Sequence, residues 1–219
     1  MNTDSLAQTT VKSLLADVAG GSMAPGGIGM AALSAAQTAA LVSMVCCQTA
    51  GKPGYEPMTE EMERVLERAR QLEEQVLIFL DQEVEAFNKL MESAALPRGL
   101  TDHDEQTTIR REMMRIAARS YVQVPYQVGL IAAELLPLVE TVIRYGNREL
   151  VADAGTALFT ALAALRAAAL QVSLNLKGQE ADEWVATARE RVARWCEEAA
   201  TAESELWPLL QGQAGVQTA

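Results

Sequence analysis

Glu83 stands three residues after Leu80 and four before Phe87, on an apolar seam through Met62, Leu66, Ala69, Val76, Leu80, Phe87 and Leu90. The spacings of three, four and seven put that seam on one face of a helix. A carboxylate at such a position is costly unless it is paired or put to use. Burial raises its pKa and suits it to acid–base work near neutral pH. A seam salt bridge with Arg or Lys is the plain structural alternative. Asp81, two residues earlier, turns towards the face of Leu77 and Val84 and is an outside candidate for the same chemistry. Asp153 opens an apolar helix in Val151-Ala152-Asp153-Ala154-Gly155. That is the place of an N-cap, or of a ligand-facing carboxylate beside small residues. Lys52 and Tyr55 lie in Gly51-Lys52-Pro53-Gly54-Tyr55, where the lysine ends a long neutral run. It is either a solvated turn residue or a group for an anion.

A second candidate is the loop Gly20-Gly21-Ser22-Met23-Ala24-Pro25-Gly26-Gly27-Ile28-Gly29. Glycines let a ligand approach the backbone, and amides at the start of the next helix attract anionic or polar groups. Ser22, Pro25, Gly26 and Gly27 are its candidate binding residues. No strand precedes the loop and no Gly-Lys-Ser/Thr follows, so it is neither a dinucleotide fingerprint nor a P-loop. A tight interhelical turn is the alternative. His103, the single histidine, reads as a surface residue just before a helix. The three cysteines, Cys46, Cys47 and Cys196, show no zinc spacing, and no metal site is expected. Cys46 and Cys47 read as small core residues.

The elements that must position these residues are helices. The 219-residue chain holds 37 alanines, and aromatics are only 5%, so the core is built from small helix formers rather than strand formers. We expect one all-α domain over 1–219, an up-and-down bundle of long helices. The pattern predicts a first helix from a cap at Asp4 to Val18, then helices over 30–49 and 59–94. A fourth over 104–122 follows, with Pro125 starting a fifth or kinking a continuous one to about 146. The last two cover 153–176 and 181–210, with 211–219 as a disordered tail. The third helix would extend about 50 Å, which suggests a partner subunit and a homodimer. A net charge of −11 argues against nucleic-acid binding. Val18–Gly51 carries no charge at all, and Met30–Ala50 is long enough to span a bilayer. Its Ser34, Gln37, Thr38, Ser43, Gln48 and Thr49 favour a helix buried by other helices, with no membrane partner. The N-terminus lacks a signal-peptide pattern, so the expected compartment is cytoplasmic.

Several motifs occur in the order of the cyclodeaminase/cyclohydrolase family, which the chain resembles over roughly residues 5–180. They are Pro25-Gly26-Gly27, the helix with Leu41-Val42-Ser43-Met44-Val45, Gly51-Lys52 with Tyr55, and Glu83-Val84-Glu85-Ala86-Phe87. Leu96-Pro97-Arg98, Val124-Pro125-Tyr126, Gly146-Asn147, Ala152-Asp153-Ala154-Gly155 and Asn175-Leu176 complete the series. The chain departs from the family pattern at Ile28, Pro53, Glu83, Ala152, Gln171 and Ser173. The resemblance implies a one-carbon tetrahydrofolate substrate, with hydrolysis of 5,10-methenyltetrahydrofolate to 10-formyltetrahydrofolate as the activity and no cofactor. Formiminotetrahydrofolate cyclodeamination is the alternative, and a non-catalytic binding protein on the same scaffold is a third reading. It also implies site roles. Glu83, Asp153 or Asp81 would carry the acid–base work, and Lys52 and Arg98 would hold the glutamate tail. The amides of Gly26 and Gly27 would meet the pterin, with Ser22, Pro25, Tyr55, Phe87 and Asn147 lining the substrate.

Overall fold

The computed structural model describes residues 5–21, 23–99, 104–179 and 181–215. Six helices follow in order: α1 Val11–Ala19, α2 Gly27–Cys47, α3 Thr59–Ala95, α4 Glu105–Tyr145, α5 Val151–Asn175 and α6 Glu183–Gln213. There is no strand among the described residues. The all-α expectation holds, and α2 is its centre, packed against α3, α4 and α5. Ala31, Ala32, Ala35, Ala36 and Ala39 are buried in α2, and Ala157, Ala161, Ala164 and Ala168 in α5. Side chains that end at Cβ let these two helices approach closely without losing rotamer entropy. α2 and α5 run antiparallel, with the hydroxyls of Thr38 and Thr160 2.8 Å apart near their middles. By length and composition α2, α4 and the segment Arg148–Asn175 could each cross a membrane, yet half or more of each apolar window is buried by other helices of the bundle.

The seam on α3 is real but shifted. Met62, Ala69, Val76, Leu80 and Glu83 are buried on it together with Val65, Leu72 and Ala86, whereas Leu66, Phe87 and Leu90 are half-buried. The other helix boundaries are refined as well. The first predicted helix divides into a 3-10 turn, Leu6–Gln8, and α1. Its cap Asp4 lies outside the described residues; the cap of α1 is Thr10, which accepts from the Ser13 amide. Of the two readings of Pro125, the structure takes the continuous one: the proline sits inside the 41-residue α4. It lacks only the donor towards the Tyr121 carbonyl, and a buried position supplies the packing that offsets that loss. Finally, α6 continues through Gln213, so residues 211–213, expected in a disordered tail, are helical. Gln213 Nε2 donates to the Ile143 carbonyl at 3.0 Å and ties the end of α6 to α4. Cys46 is buried as expected, its thiol pushed up to about 12 chiefly by burial, and Cys47 is exposed. His103 lies outside the described residues.

α6 is anchored on α4 by Trp195, which is fully buried and packs at a tilt against Tyr126, with ring centroids 5.5 Å apart. The indole occupies the space above Gly129, where a Cβ would stand 2.4 Å from its Cη2. Gly129→Ala should therefore cost about 1–3 kcal/mol by overpacking. The melting temperature should fall by roughly 2–12 °C in calorimetry. An unchanged melting temperature would show that the α4–α6 contact yields more easily than this packing implies.

Candidate active site

The loop before α2 folds back over α3, and Glu83 meets it. The Glu83 side chain is 2% exposed. Its Oε2 accepts from the amides of Gly26 and Gly29, both at 2.9 Å. No cation pairs with it among the described ion pairs, so the seam salt bridge is replaced by a carboxylate seated on a helix N-terminus. The amides and the helix dipole stabilise the anion there. Burial has the larger effect and pushes the carboxyl above the ordinary glutamate range, while the amides of Gly26, Gly29 and Ile28 pull it back. Gly29 makes this seat possible, since a Cβ on it would fall 2.7 Å from Oε2. The bond between Ala24 and Pro25 is cis. Pro25 is buried beside Gly29, and Gly27 opens α2 with open space above it. Ile28 turns into the core, 2% exposed, rather than across the loop.

Two further groups surround Glu83. Phe87, one turn along α3, faces the Tyr121 ring of α4 at 6.2 Å. The Tyr121 phenol is raised by burial and then by the Glu83 charge, and a hydrogen bond from Gln171 of α5 opposes both. Glu83, Tyr121 and Gln171 thus bring α3, α4 and α5 together at the N-terminal end of α2. Tyr121 was absent from the sequence candidates. It stands four residues before Pro125, and no spacing rule links it to Glu83, which lies on a different helix.

The remaining candidates lie elsewhere. Asp81 holds the start of the chain by accepting from the Ser5 hydroxyl and, at 2.8 Å, from the Leu6 amide. Lys52 pairs with Glu149 at 2.6 Å, and the Tyr55 hydroxyl accepts from the Arg148 amide at 3.0 Å. Asn147 closes the corner after α4. Its amide N–H donates to Thr49, its side chain donates to the Gln48 carbonyl, and its Oδ1 accepts from the Glu149 amide. Asp153 is not an N-cap: α5 starts two residues earlier and its cap position makes no side-chain bond. Lys52, Tyr55, Asn147 and Asp153 gather at the C-terminal end of α2, about 31 Å of helix from Glu83. Arg98 is exposed beyond the end of α3, and Ser22 lies outside the described residues. A large groove of about 960 Å³ between α4 and α6 has Glu134, Glu140, Arg191 and Arg194 in its walls, and Glu83 is not one of them.

The model of the formiminotransferase-cyclodeaminase family matches residues 10–194. The chain belongs to that family. Among its curated relatives, the methenyltetrahydrofolate cyclohydrolase of Methylorubrum extorquens is 36% identical over 77% of this chain and 80% of its own length. The formimidoyltransferase-cyclodeaminase of Mus musculus is 26% identical over 90% of this chain, which spans only 36% of that longer protein. The fold is shared with the crystal structure of the formiminotetrahydrofolate cyclodeaminase of Thermotoga maritima, at a TM-score of 0.76 and 23% identity. That match covers 95% of this chain and 98% of the other. The matched range 10–194 includes both the buried Glu83 with Phe87 on α3 and the loop that holds the carboxylate. Of the two amides, Gly26 belongs to the Pro25-Gly26-Gly27 segment and Gly29 to the first turn of α2.

Proposed function

We propose that this chain is a methenyltetrahydrofolate cyclohydrolase in which Glu83 carries the proton traffic. The observation behind this reading is a buried carboxylate, free of a paired cation, held by two loop amides at a helix N-terminus. The 36% identity to a named cyclohydrolase supports the choice of substrate. Water attacks the cationic methenyl carbon, and Glu83 takes one of its protons. The neutral carbinol then opens: the C–N5 bond breaks, Glu83 returns the proton to N5, and the hydroxyl proton leaves to solvent as the formyl carbonyl forms. The products are 10-formyltetrahydrofolate and one net proton. A raised carboxyl pKa suits a group that must accept and return a proton in one cycle. Tyr121 and Phe87 supply an aromatic wall beside it, and Gln171 orients the phenol. The reaction needs proton transfer and calls for neither a metal nor a redox cofactor. We place the enzyme in the cytoplasm, as a homodimer with no membrane or nucleic-acid partner.

The absorbance of methenyltetrahydrofolate reports the reaction. Purified protein should speed its decay well above the buffer rate, release no ammonia faster from formiminotetrahydrofolate, and melt at a higher temperature with folate bound. Faster ammonia release with slow methenyl decay would move the assignment to cyclodeaminase. Neither activity, with no folate-induced melting shift, would leave a non-catalytic scaffold.

A further inference from the structure

Asp81 and Glu83 hold the two ends of one length of chain. Asp81 accepts from the Ser5 hydroxyl and, at 2.8 Å, from the Leu6 amide. Glu83 Oε2 accepts from the Gly26 amide at 2.9 Å. The two carboxylates stand two residues apart on α3, about 3 Å along its axis and about 200° round it. Residues 5–26 therefore leave α3 at one carboxylate, pass round the helix and return to it at the next, as a strap. Packing does little to fix the strap between its ends. α1 is nine residues long, shorter than a helix that is stable alone. Leu14 is its one buried side chain, and Val11 and Leu15 are exposed. Gly21, at a φ of +84°, then turns the chain towards the loop, with open space around it.

The two amides that seat Glu83 are held differently. Gly29 lies in the first turn of α2, which is fixed by its packing on three other helices. Gly26 is the cap position of α2 and the last residue of the strap, so the course of the strap bears on where its amide points. We infer that Asp81 is a positioning residue for Glu83: by pinning Ser5 and Leu6 it tightens the strap and keeps the Gly26 amide on the carboxylate. Asp81 takes and gives no proton in this role. An asparagine can make the same two bonds, its carbonyl accepting from the Leu6 amide and its NH2 donating to the Ser5 hydroxyl, whereas an alanine can make neither. A strap freed at Ser5 loses more chain entropy each time Gly26 returns to Glu83. The carboxylate is then held for part of the time by the Gly29 amide alone, less well placed and less stabilised as an anion. The titratable group beside Glu83 on α4 is Tyr121; α5 brings the uncharged Gln171, and residues 20–30 carry no titratable side chain.

The kinetic part of this inference rests on the proposed hydrolysis; the clamp does not. Amide hydrogen exchange of the full chain, followed by NMR, should be at least about tenfold faster in Asp81→Ala than in wild type at Gly26 and across residues 7–21, with α2 beyond residue 30 unchanged. In methenyltetrahydrofolate hydrolysis Asp81→Ala should lose about tenfold in kcat. The acid limb of its kcat/KM profile should rise by up to about one pH unit, because one bond to the Glu83 anion is loosened. Asp81→Asn should keep the wild-type limb and most of kcat. Ser5→Ala removes one clamp bond from the other side, should move exchange and limb the same way by less, and serves if Asp81→Ala does not fold. Unchanged exchange at Gly26 in these variants overturns the clamp. Faster exchange with wild-type kcat and limb overturns the positioning role. So does an Asp81→Asn as impaired as Asp81→Ala, which would make the carboxylate itself a participant. A wild type that hydrolyses no methenyltetrahydrofolate, with Gly26 exchange still governed by Asp81, instead removes the assigned reaction and leaves the clamp standing.

Discussion

Glu83→Gln is expected to lower kcat for methenyltetrahydrofolate hydrolysis about 10²–10⁴-fold, the range a positioned acid–base group supplies. Glutamine keeps a carbonyl oxygen for the Gly26 and Gly29 amides, so the loop should stay in place while the proton carrier is lost. Stability should move the other way. The folded-state pKa of Glu83 is raised, chiefly by burial. The stability this group contributes is therefore fully present below its unfolded pKa and is lost as pH rises through the folded value, where a charge must be held in the core. Glutamine never carries that charge. At pH 7 the variant should melt at or above the wild-type temperature, and its advantage should shrink as the pH falls towards 4.5. Wild-type turnover in Glu83→Gln, or a variant clearly less stable than wild type at pH 7, would sink this reading of the residue.

Gly29→Ala is expected to cost about 10²-fold in kcat while changing stability little, the helix-propensity gain offsetting the strained Glu83 hydrogen bonds. Gly29 is inside α2, where exchanging glycine for alanine ordinarily gains up to about 1 kcal/mol in helix propensity. The new methyl would stand 2.7 Å from Glu83 Oε2, 3.4 Å from the Pro25 Cβ and 3.7 Å from Leu80. Proline and leucine are fixed in the core, so the carboxylate end must move. A displacement of about 1 Å at a reacting group is worth a factor of this size. The same measurement separates chemistry from folding: a melting temperature that falls with the activity would mean that the loop, and not the carboxylate, has given way.

The helices themselves were largely legible, because alanine content and a strict apolar stripe both point to one structure. Glu83 could be found for the same reason: a carboxylate on a seam is conspicuous. Its partners were not, since the Gly26 and Gly29 amides lie 57 and 54 positions away and only tertiary packing of the loop on α3 brings them together. Tyr121 and Gln171 are hidden in the same way, on two further helices. Pro125 left two readings open in the sequence, a helix start or a continuous helix. Proline reads as a boundary, but the packing of a buried position inside α4 outweighs one missing donor. Asp81 shows the limit of proximity in sequence. Two residues from Glu83 on a helix means another face, and that face binds the chain's beginning. Lys52, Tyr55, Asn147 and Asp153 were grouped with Glu83 by family motif order, yet one chain holds them at the far end of α2.

The most direct test of Glu83 as the proton carrier is the pH dependence of kcat/KM for methenyltetrahydrofolate in wild type and Glu83→Gln, each corrected for the buffer rate. Hydrolysis begins with the carboxylate form accepting a proton from water. The wild-type profile should therefore fall on the acid side with an apparent pKa above 4.5, the ordinary value for glutamate, and the residual activity of Glu83→Gln should lack that limb. The same acid limb in Glu83→Gln as in wild type would contradict the account and assign the proton to another group.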